Sequence, residues 1–186
     1  MARFDLVLFH YIHGAAGVSR LLDFIGIFFA EYLGYFLIVG FLLWLFVSRW
    51  KERTYASLFV LLTLILSRGI LTEVIRFLYH RPRPFVLLEI TSLIEQTDKG
   101  SFPSGHAAFY FALAAVFWTF NRRWGNYFFA GTILMGLARI FVGVHWPMDI
   151  IGGALVALVS VFIVRLLLVS YQPASARRPD GERVLG

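Results

Sequence analysis

Apolar residues fall in long runs with no period-two alternation, near residues 22 to 48, 55 to 78, 105 to 120, 127 to 144 and 148 to 169. A hydrocarbon core of about 30 Å takes about 20 helical residues to cross, which is the scale of these runs. Lipid offers no partner to a backbone amide, and a helix pairs its amides within its own segment, so the runs predict helices and an all-α fold. The runs near 105 to 120 and 127 to 144 are short, which puts their ends in the interface or inside the protein. Ahead of them, Phe4, Leu6, Val7, Leu8, Phe9 and Tyr11 surround Asp5, His10 and His13. That segment predicts a short helix lying in the membrane interface, retained and not cleaved as a signal peptide. The expected architecture is a polytopic bundle of about five transmembrane helices plus the N-terminal interfacial helix. Residues 1–171 form the membrane domain, and the polar stretch 172–186 is a flexible cytoplasmic tail.

The polar connectors set the orientation. Arg49, Lys51 and Arg53, then Arg122 and Arg123, then Arg165, Arg177, Arg178 and Arg183 all fall on one side of the alternating spans, against Arg3, Arg20, Arg81, Arg83 and Lys99 on the other, a modest bias that predicts the first side as cytoplasmic. Trp44, Trp50, Trp118 and Trp124 cluster at the same ends, and Trp146 marks the opposite headgroup level. Ala108 and Ala112, like Gly153 and Ala157, are small residues four apart, a spacing that lets helices approach closely. A hydrophobic content of 59% and a mean hydropathy of +0.75 exceed what a soluble domain of 186 residues carries. The net charge of +6 sits in connectors between apolar runs, so it does not point to nucleic acid. With no cysteine there is no disulfide, thiolate metal site or cysteine nucleophile.

Three segments carry chemistry: Arg76-x6-Arg83-Pro84, Pro103-Ser104-Gly105-His106 and Arg139-x5-His145-x3-Asp149. The loop after the second span and the loop after the fourth are two crossings apart, so topology brings them to one membrane face, the extracytoplasmic one. Pro82 and Pro84 stop the second helix and present its arginines, so Arg76 and Arg83 can clamp one phosphate as bidentate forks. Ser104 and Gly105 open the third span, where free helix amides bind anions and glycine allows close approach. His106 is placed to protonate a leaving oxygen, and Arg139 adds a third phosphate donor. Asp149, four residues after His145, can hold the Nδ1 proton and leave Nε2 as the nucleophile, or cap the fifth helix, and the two roles are compatible. The crowd of arginines disfavours a metal at His106, His145 and Asp149. Neither metal nor cofactor is expected.

In order and spacing these motifs resemble the type 2 phosphatidic acid phosphatase superfamily, membrane lipid phosphatases related to vanadium haloperoxidases. The resemblance implies a phosphohistidine on His145, oriented by Asp149, with His106 as general acid and Arg76, Arg83, Arg139, Ser104 and the Gly105 amide around the phosphate. Two positions depart from the family pattern: Arg76 stands where lysine is usual, and Ala138 where a serine usually precedes the arginine. The short chain and its Phe28-Phe29-Ala30-Glu31-Tyr32 stretch are similar to compact bacterial undecaprenyl-diphosphate phosphatases. That implies hydrolysis of undecaprenyl diphosphate to the monophosphate carrier outside the cytoplasmic membrane, in support of cell-wall glycan assembly. The same motifs also fit a phosphatidylglycerophosphate or phosphatidate phosphatase. A non-enzymatic lipid-phosphate binder or transporter would need the arginines but not the His145–Asp149 pair.

Three further charges lie within the spans. Glu31 and Arg68 sit at similar depth, about 15 Å below the outer surface at 1.5 Å per residue, and are expected to pair or to join a polar network beneath the site, unless the first span begins later and Glu31 is interfacial. Glu73 is one turn from Arg76 and either positions that arginine or forms an ordinary surface pair.

Overall fold

The computed structural model describes residues 3–48, 50–97 and 100–169, without the Lys51 side chain. The expected tail, and the charges of Arg49, Lys51 and Lys99, therefore lie outside the described residues. In chain order the helices are α1 (Arg3–His13), α2 (Arg20–Ile27), α3 (Leu33–Val47), α4 (Trp50–Leu64), α5 (Thr72–Leu78), α6 (Pro84–Leu87), α7 (Gly105–Phe120), α8 (Arg122–Phe141) and α9 (Pro147–Leu167). No strand occurs among the described residues.

Local sequence sets the breaks. Tyr79 leaves helical geometry before the prolines, and Pro84 and Pro147 each occupy a first helical turn, where a missing amide costs nothing. The Asn121 side chain accepts from Trp124 N at 3.0 Å, capping α8 directly after α7 ends. Two joins are not breaks. Wide π-helical turns, Phe28–Tyr32 and Ile65–Leu71, splice α2 to α3 and α4 to α5, making two long rods. Nothing in the hydrophobic pattern announced them, because a single widened turn leaves an all-apolar run all-apolar.

Helix α7 is the axis of the bundle. Ala107, Ala108, Ala112, Leu113, Ala114, Ala115, Val116 and Phe117 are all buried, and α4, α8 and α9 pack around them. Between helices in lipid the attraction comes from contact and not from water exclusion, so small residues that let backbones close up matter most. The expected pairs do this: Ala108, Ala112 and Ala157 are fully buried, and a methyl placed on Gly153 would meet Ser104 O and Ala107 Cβ at 2.6 Å. Below the site, Phe41, Phe59, Phe117 and Phe128 fill the core. The outer faces carry exposed Phe36, Phe46, Leu158, Phe162 and Leu166, a surface suited to acyl chains.

Three rods, Arg20–Val47, Glu52–Leu78 and Pro147–Leu167, are long and apolar enough to cross a membrane, and Gly105–Phe120 is a shorter apolar helix. Helix α8 spans 20 residues but carries Arg122, Arg123 and Arg139. The short run at 105 to 120 is explained by where it starts: Ser104 and Gly105 are buried, so α7 begins inside the protein.

Two expectations need correction. Helix α1 forms as predicted but does not simply lie in an interface. It packs on α8 and α9, with Asp5 and Phe9 buried, and His13 Nδ1 donates to Phe141 O at 2.7 Å. Trp146 is no headgroup anchor either. It is fully buried, its indole N–H donates to Pro82 O at 3.0 Å, and its ring faces Phe9 and the Arg81 guanidinium, so its polar edge is satisfied by protein and not by lipid headgroups.

Candidate active site

The extended stretch after α5 lays Arg81 and Arg83 alongside the loop that precedes α9. Arg83 Nη1 donates to Val144 O at 3.0 Å, and Arg76 donates from Nε and Nη2 to Pro103 O at 3.3 and 3.1 Å. The motif arginines thus fasten the loops to one another as well as facing the cavity. Ser101 N donates to Arg81 O at 2.7 Å and Ser104 N to Asp149 O at 2.9 Å. All three sequence motifs meet through these bonds.

At the start of α7 the Ser104 hydroxyl accepts from Ala107 N at 3.4 Å, acting as a helix cap with its own proton still to donate. Gly105 lies directly under Arg68: an added Cβ would come within 2.6 Å of Arg68 Nε and displace that side chain. The Arg68 guanidinium therefore rests directly over the helix N-terminus, where an anion is favoured. His106 follows on the exposed side, facing the cavity.

His145 is buried, and its Nδ1 donates to Asp149 Oδ2 at 3.3 Å, the arrangement expected from their spacing. Burial pushes the His145 pKa down from 6.5 to about 4; the Asp149 hydrogen bond opposes this and the Arg139 and Arg83 charges reinforce it. The imidazole is neutral at physiological pH, with the Nδ1 proton held by Asp149 and Nε2 left unprotonated. Asp149 is more heavily engaged than its spacing suggested: Trp146 N donates to it at 2.8 Å, the Ser101 hydroxyl bonds Oδ2, and Arg81 Nη1 donates to Oδ1 at 2.8 Å.

Arg139 is buried in the bundle, and its Nη1 donates to Ala30 O at 3.1 Å. Ala30 lies in the π-helical turn Phe28–Tyr32, where the widened turn loosens the regular carbonyl pairing. Arg139 Nε and Nη2 have no hydrogen-bond partner among the described residues, so two donors are held ready beside His145 and His106. Ala138, where the family pattern has serine, packs into an apolar cluster with Ala30, Val142 and Val144.

The predicted Glu31–Arg68 pair does not form. Arg68 pairs with Glu73, whose carboxylate also lies 3.5 Å from Arg76. In a regular helix residues five apart point away from each other, but Ile65–Leu71 is π-helical, and the widened turn swings Glu73 under Arg68. Glu31 is exposed and acts on Arg139 only through its charge. Both readings of Glu73 fit this geometry: it is half exposed, as in a surface pair, and it contacts two arginines that line the cavity.

A cavity of about 340 Å³ is lined by Arg68, Arg76, Arg83, Gly105, His106 and His145, with Gln96, Thr97, Phe109 and Tyr110 completing its wall. Ser104 and Arg139 stand behind this lining. The site residues expected from the sequence included none of Ser101, Asp5 and Arg81. The signal for Asp5 was available, because a carboxylate inside an apolar helix is costly unless it has a partner. For Ser101 no local signal existed.

The sequence model of the PAP2 superfamily matches residues 56–172, which contain all three motifs. The chain belongs to the PAP2 superfamily. As a PAP2 phosphatase it is a hydrolase acting on phosphate esters. Undecaprenyl-diphosphatase BcrC of Bacillus subtilis is 32% identical over 160 residues, covering 84% of this chain and 80% of BcrC. The crystal structure of Aquifex aeolicus LpxE superposes with a TM-score of 0.70 at 29% identity, covering 86% of this chain and 93% of LpxE. The transmembrane PAP2-type phosphatidylglycerolphosphate phosphatase of Bacillus subtilis shares the fold, with a TM-score of 0.59 at 18% identity over 93% of this chain and 90% of that one.

Proposed function

We propose that this PAP2 phosphatase hydrolyses undecaprenyl diphosphate to undecaprenyl phosphate and inorganic phosphate through a phosphohistidine on His145. In this reading it is a multi-pass protein of a bacterial cytoplasmic membrane with five crossings, its cavity on the extracytoplasmic face, residues 1–171 as the catalytic domain and 172–186 as a cytoplasmic tail. The observation that carries the reading is one cavity holding a buried neutral His145, an exposed His106 and the cations Arg68, Arg76 and Arg83.

The geometry performs the reaction in two displacements. His145 Nε2 attacks the terminal phosphorus in line, and the bond from phosphorus to the bridging oxygen breaks. That oxygen leaves on undecaprenyl phosphate with a proton from His106. Charge spreads over the equatorial oxygens, where Arg76, Arg83, Arg139 and the α7 amides are already in place, so little reorganisation is needed at the transition state. The imidazole becomes cationic as it bonds phosphorus, and Asp149 stabilises it. Water then attacks the phosphohistidine, giving its proton to His106, and the phosphorus–nitrogen bond breaks to release phosphate and neutral His145.

Two features support a diphosphate. BcrC, similar over most of its length, is an undecaprenyl-diphosphatase. Arg68, over the α7 N-terminus and braced by Glu73, adds a cation beyond the three motif arginines, which suits a second phosphate group.

The test is phosphate release by detergent-purified protein from undecaprenyl diphosphate, phosphatidylglycerophosphate and phosphatidate in parallel, with excess EDTA and His145→Ala as controls. Preference for the diphosphate, insensitive to EDTA and lost in His145→Ala, is expected. Preference for a glycerophospholipid would overturn the substrate and leave the mechanism. Release that survives His145→Ala, or that EDTA abolishes, would overturn the mechanism.

A further inference from the structure

Helix α1 contributes a buried carboxylate to the neighbourhood of His145 that none of the three motifs contains. Asp5 is 1% exposed on an apolar helix, and its two oxygens are both used. Oδ1 accepts from Met148 N at 3.0 Å, and Oδ2 bonds Arg81 Nη2. Arg81 turns its other nitrogen, Nη1, to Asp149 Oδ1 at 2.8 Å. Asp149 Oδ2 accepts from His145 Nδ1. A continuous chain therefore runs from Asp5 through Arg81 and Asp149 to His145, and its two carboxylates both sit at the N-terminus of α9, where free amides and the helix dipole favour negative charge.

We infer that Asp5 is a positioning residue for the nucleophile, acting through Arg81 on Asp149, and that docking of α1 completes the His145–Asp149 pair. The inference rests on the reading of His145 as nucleophile. Charge balance gives Asp5 its role. Arg81 by itself would neutralise Asp149 and weaken its pull on His145. With Asp5 on its far side, Arg81 is already paired, and the Asp149 charge remains available to the imidazole as it turns cationic. Geometry gives the same answer. Arg81 fixes Oδ1 while Ser101 and Trp146 N fix Oδ2, so the carboxylate cannot rotate, and His145 is held in one orientation. Arg81 is itself confined, with its guanidinium 5.4 Å from the Trp146 ring centre and the buried Phe9 packed on the same indole. The π-face of Trp146 accepts the cation, and Phe9 ties that contact to α1.

The experiment is a double-mutant cycle on the full chain in detergent, with Asp5→Asn, Asp149→Asn and the double variant, read as kcat, KM and the single-turnover rate of His145 phosphorylation. Asp5→Asn keeps the shape of the side chain and an acceptor for Met148 N. Removing the charge is expected to lower kcat and the phosphorylation rate by about tenfold to a hundredfold, by analogy with the outer partners that orient metal-bound histidines, with KM unchanged. In the Asp149→Asn background the same change should cost less than about twofold, since its route to His145 is already cut. A merely structural Asp5 would multiply with Asp149→Asn, and that result would overturn the inference, as would a fall in kcat/KM carried by KM. If Asp5→Asn does not fold, Arg81→Lys runs the same cycle, because an ammonium cannot bridge both carboxylates as the guanidinium fork does; multiplicative effects there overturn the inference equally. Full phosphate release in His145→Ala would overturn the nucleophile reading and this inference together, whereas its loss alongside multiplicative Asp5 and Asp149 effects would overturn the inference alone.

Discussion

Gly153→Ala places a methyl where α9 meets the start of α7. Its Cβ would lie 2.6 Å from Ser104 O and Ala107 Cβ and 2.9 Å from Ala108 N, whereas ordinary contact begins at 3.4 Å. Two of those atoms are backbone and the third is a Cβ, so no flexible side chain can yield, and α7 must move off α9 by about 0.8 Å or more. Overpacking of this kind costs about 1 to 3 kcal/mol. Alanine in place of a helical glycine returns about 1 kcal/mol, so the net loss of stability is about 0 to 2 kcal/mol. Catalysis should suffer more. Ser104 N bonds Asp149 O at 2.9 Å, next in sequence to the α7 start that carries His106 and on the residue paired with His145, so a shift approaching 1 Å there is expected to cost about a hundredfold in rate. Phosphate release and thermal unfolding in detergent would be compared for wild type, Gly153→Ala and Gly69→Ala, the last with nothing within 4 Å of the added methyl. The expected signature is a large loss of kcat in Gly153→Ala with a small loss of melting temperature, and neither in Gly69→Ala. Wild-type kcat in Gly153→Ala would refute the claim that the α7–α9 contact sets the distance between the two histidines.

Two other outcomes follow from the site. Because burial lowers the His145 pKa to about 4, the imidazole should titrate near that value and not near 6.5, which histidine-labelled NMR of the free protein would read directly; a midpoint between about 6 and 7 would contradict the assigned burial. The sign for stability is that of a folded pKa below the unfolded one: the contribution is complete above about 6.5 and is lost as pH falls from there through about 4, amounting to about 3 kcal/mol, visible in unfolding measured at the two ends of that window. Arg68→Gln should raise KM for a lipid diphosphate about tenfold and leave a lipid monophosphate nearly unchanged, and an equal effect on both substrates would show that Arg68 serves the reacting phosphate instead.

Properties set by local physics were present in the sequence alone. Unbroken apolar runs force helices in lipid whatever their neighbours, so the all-α fold and the approximate ends of its rods were legible. The His145–Asp149 pair was legible too, since four residues on one helix end is a fixed distance, and the three motifs do meet in the structure. Tertiary structure alone decided which charges pair. A π-helical turn redirects Arg68 from Glu31 to Glu73, and such a turn depends on packing around the rod, which an apolar run does not encode. Arg81 and Ser101 converge on Asp149 from separate parts of the chain, and Asp5 reaches it only through Arg81. Only the docking of α1 on α8 and α9 brings the Asp5 carboxylate into the hydrogen-bonded chain that reaches His145. Buried charge requires a partner, and which partner it finds depends on distances through space that residue spacing along the chain cannot fix.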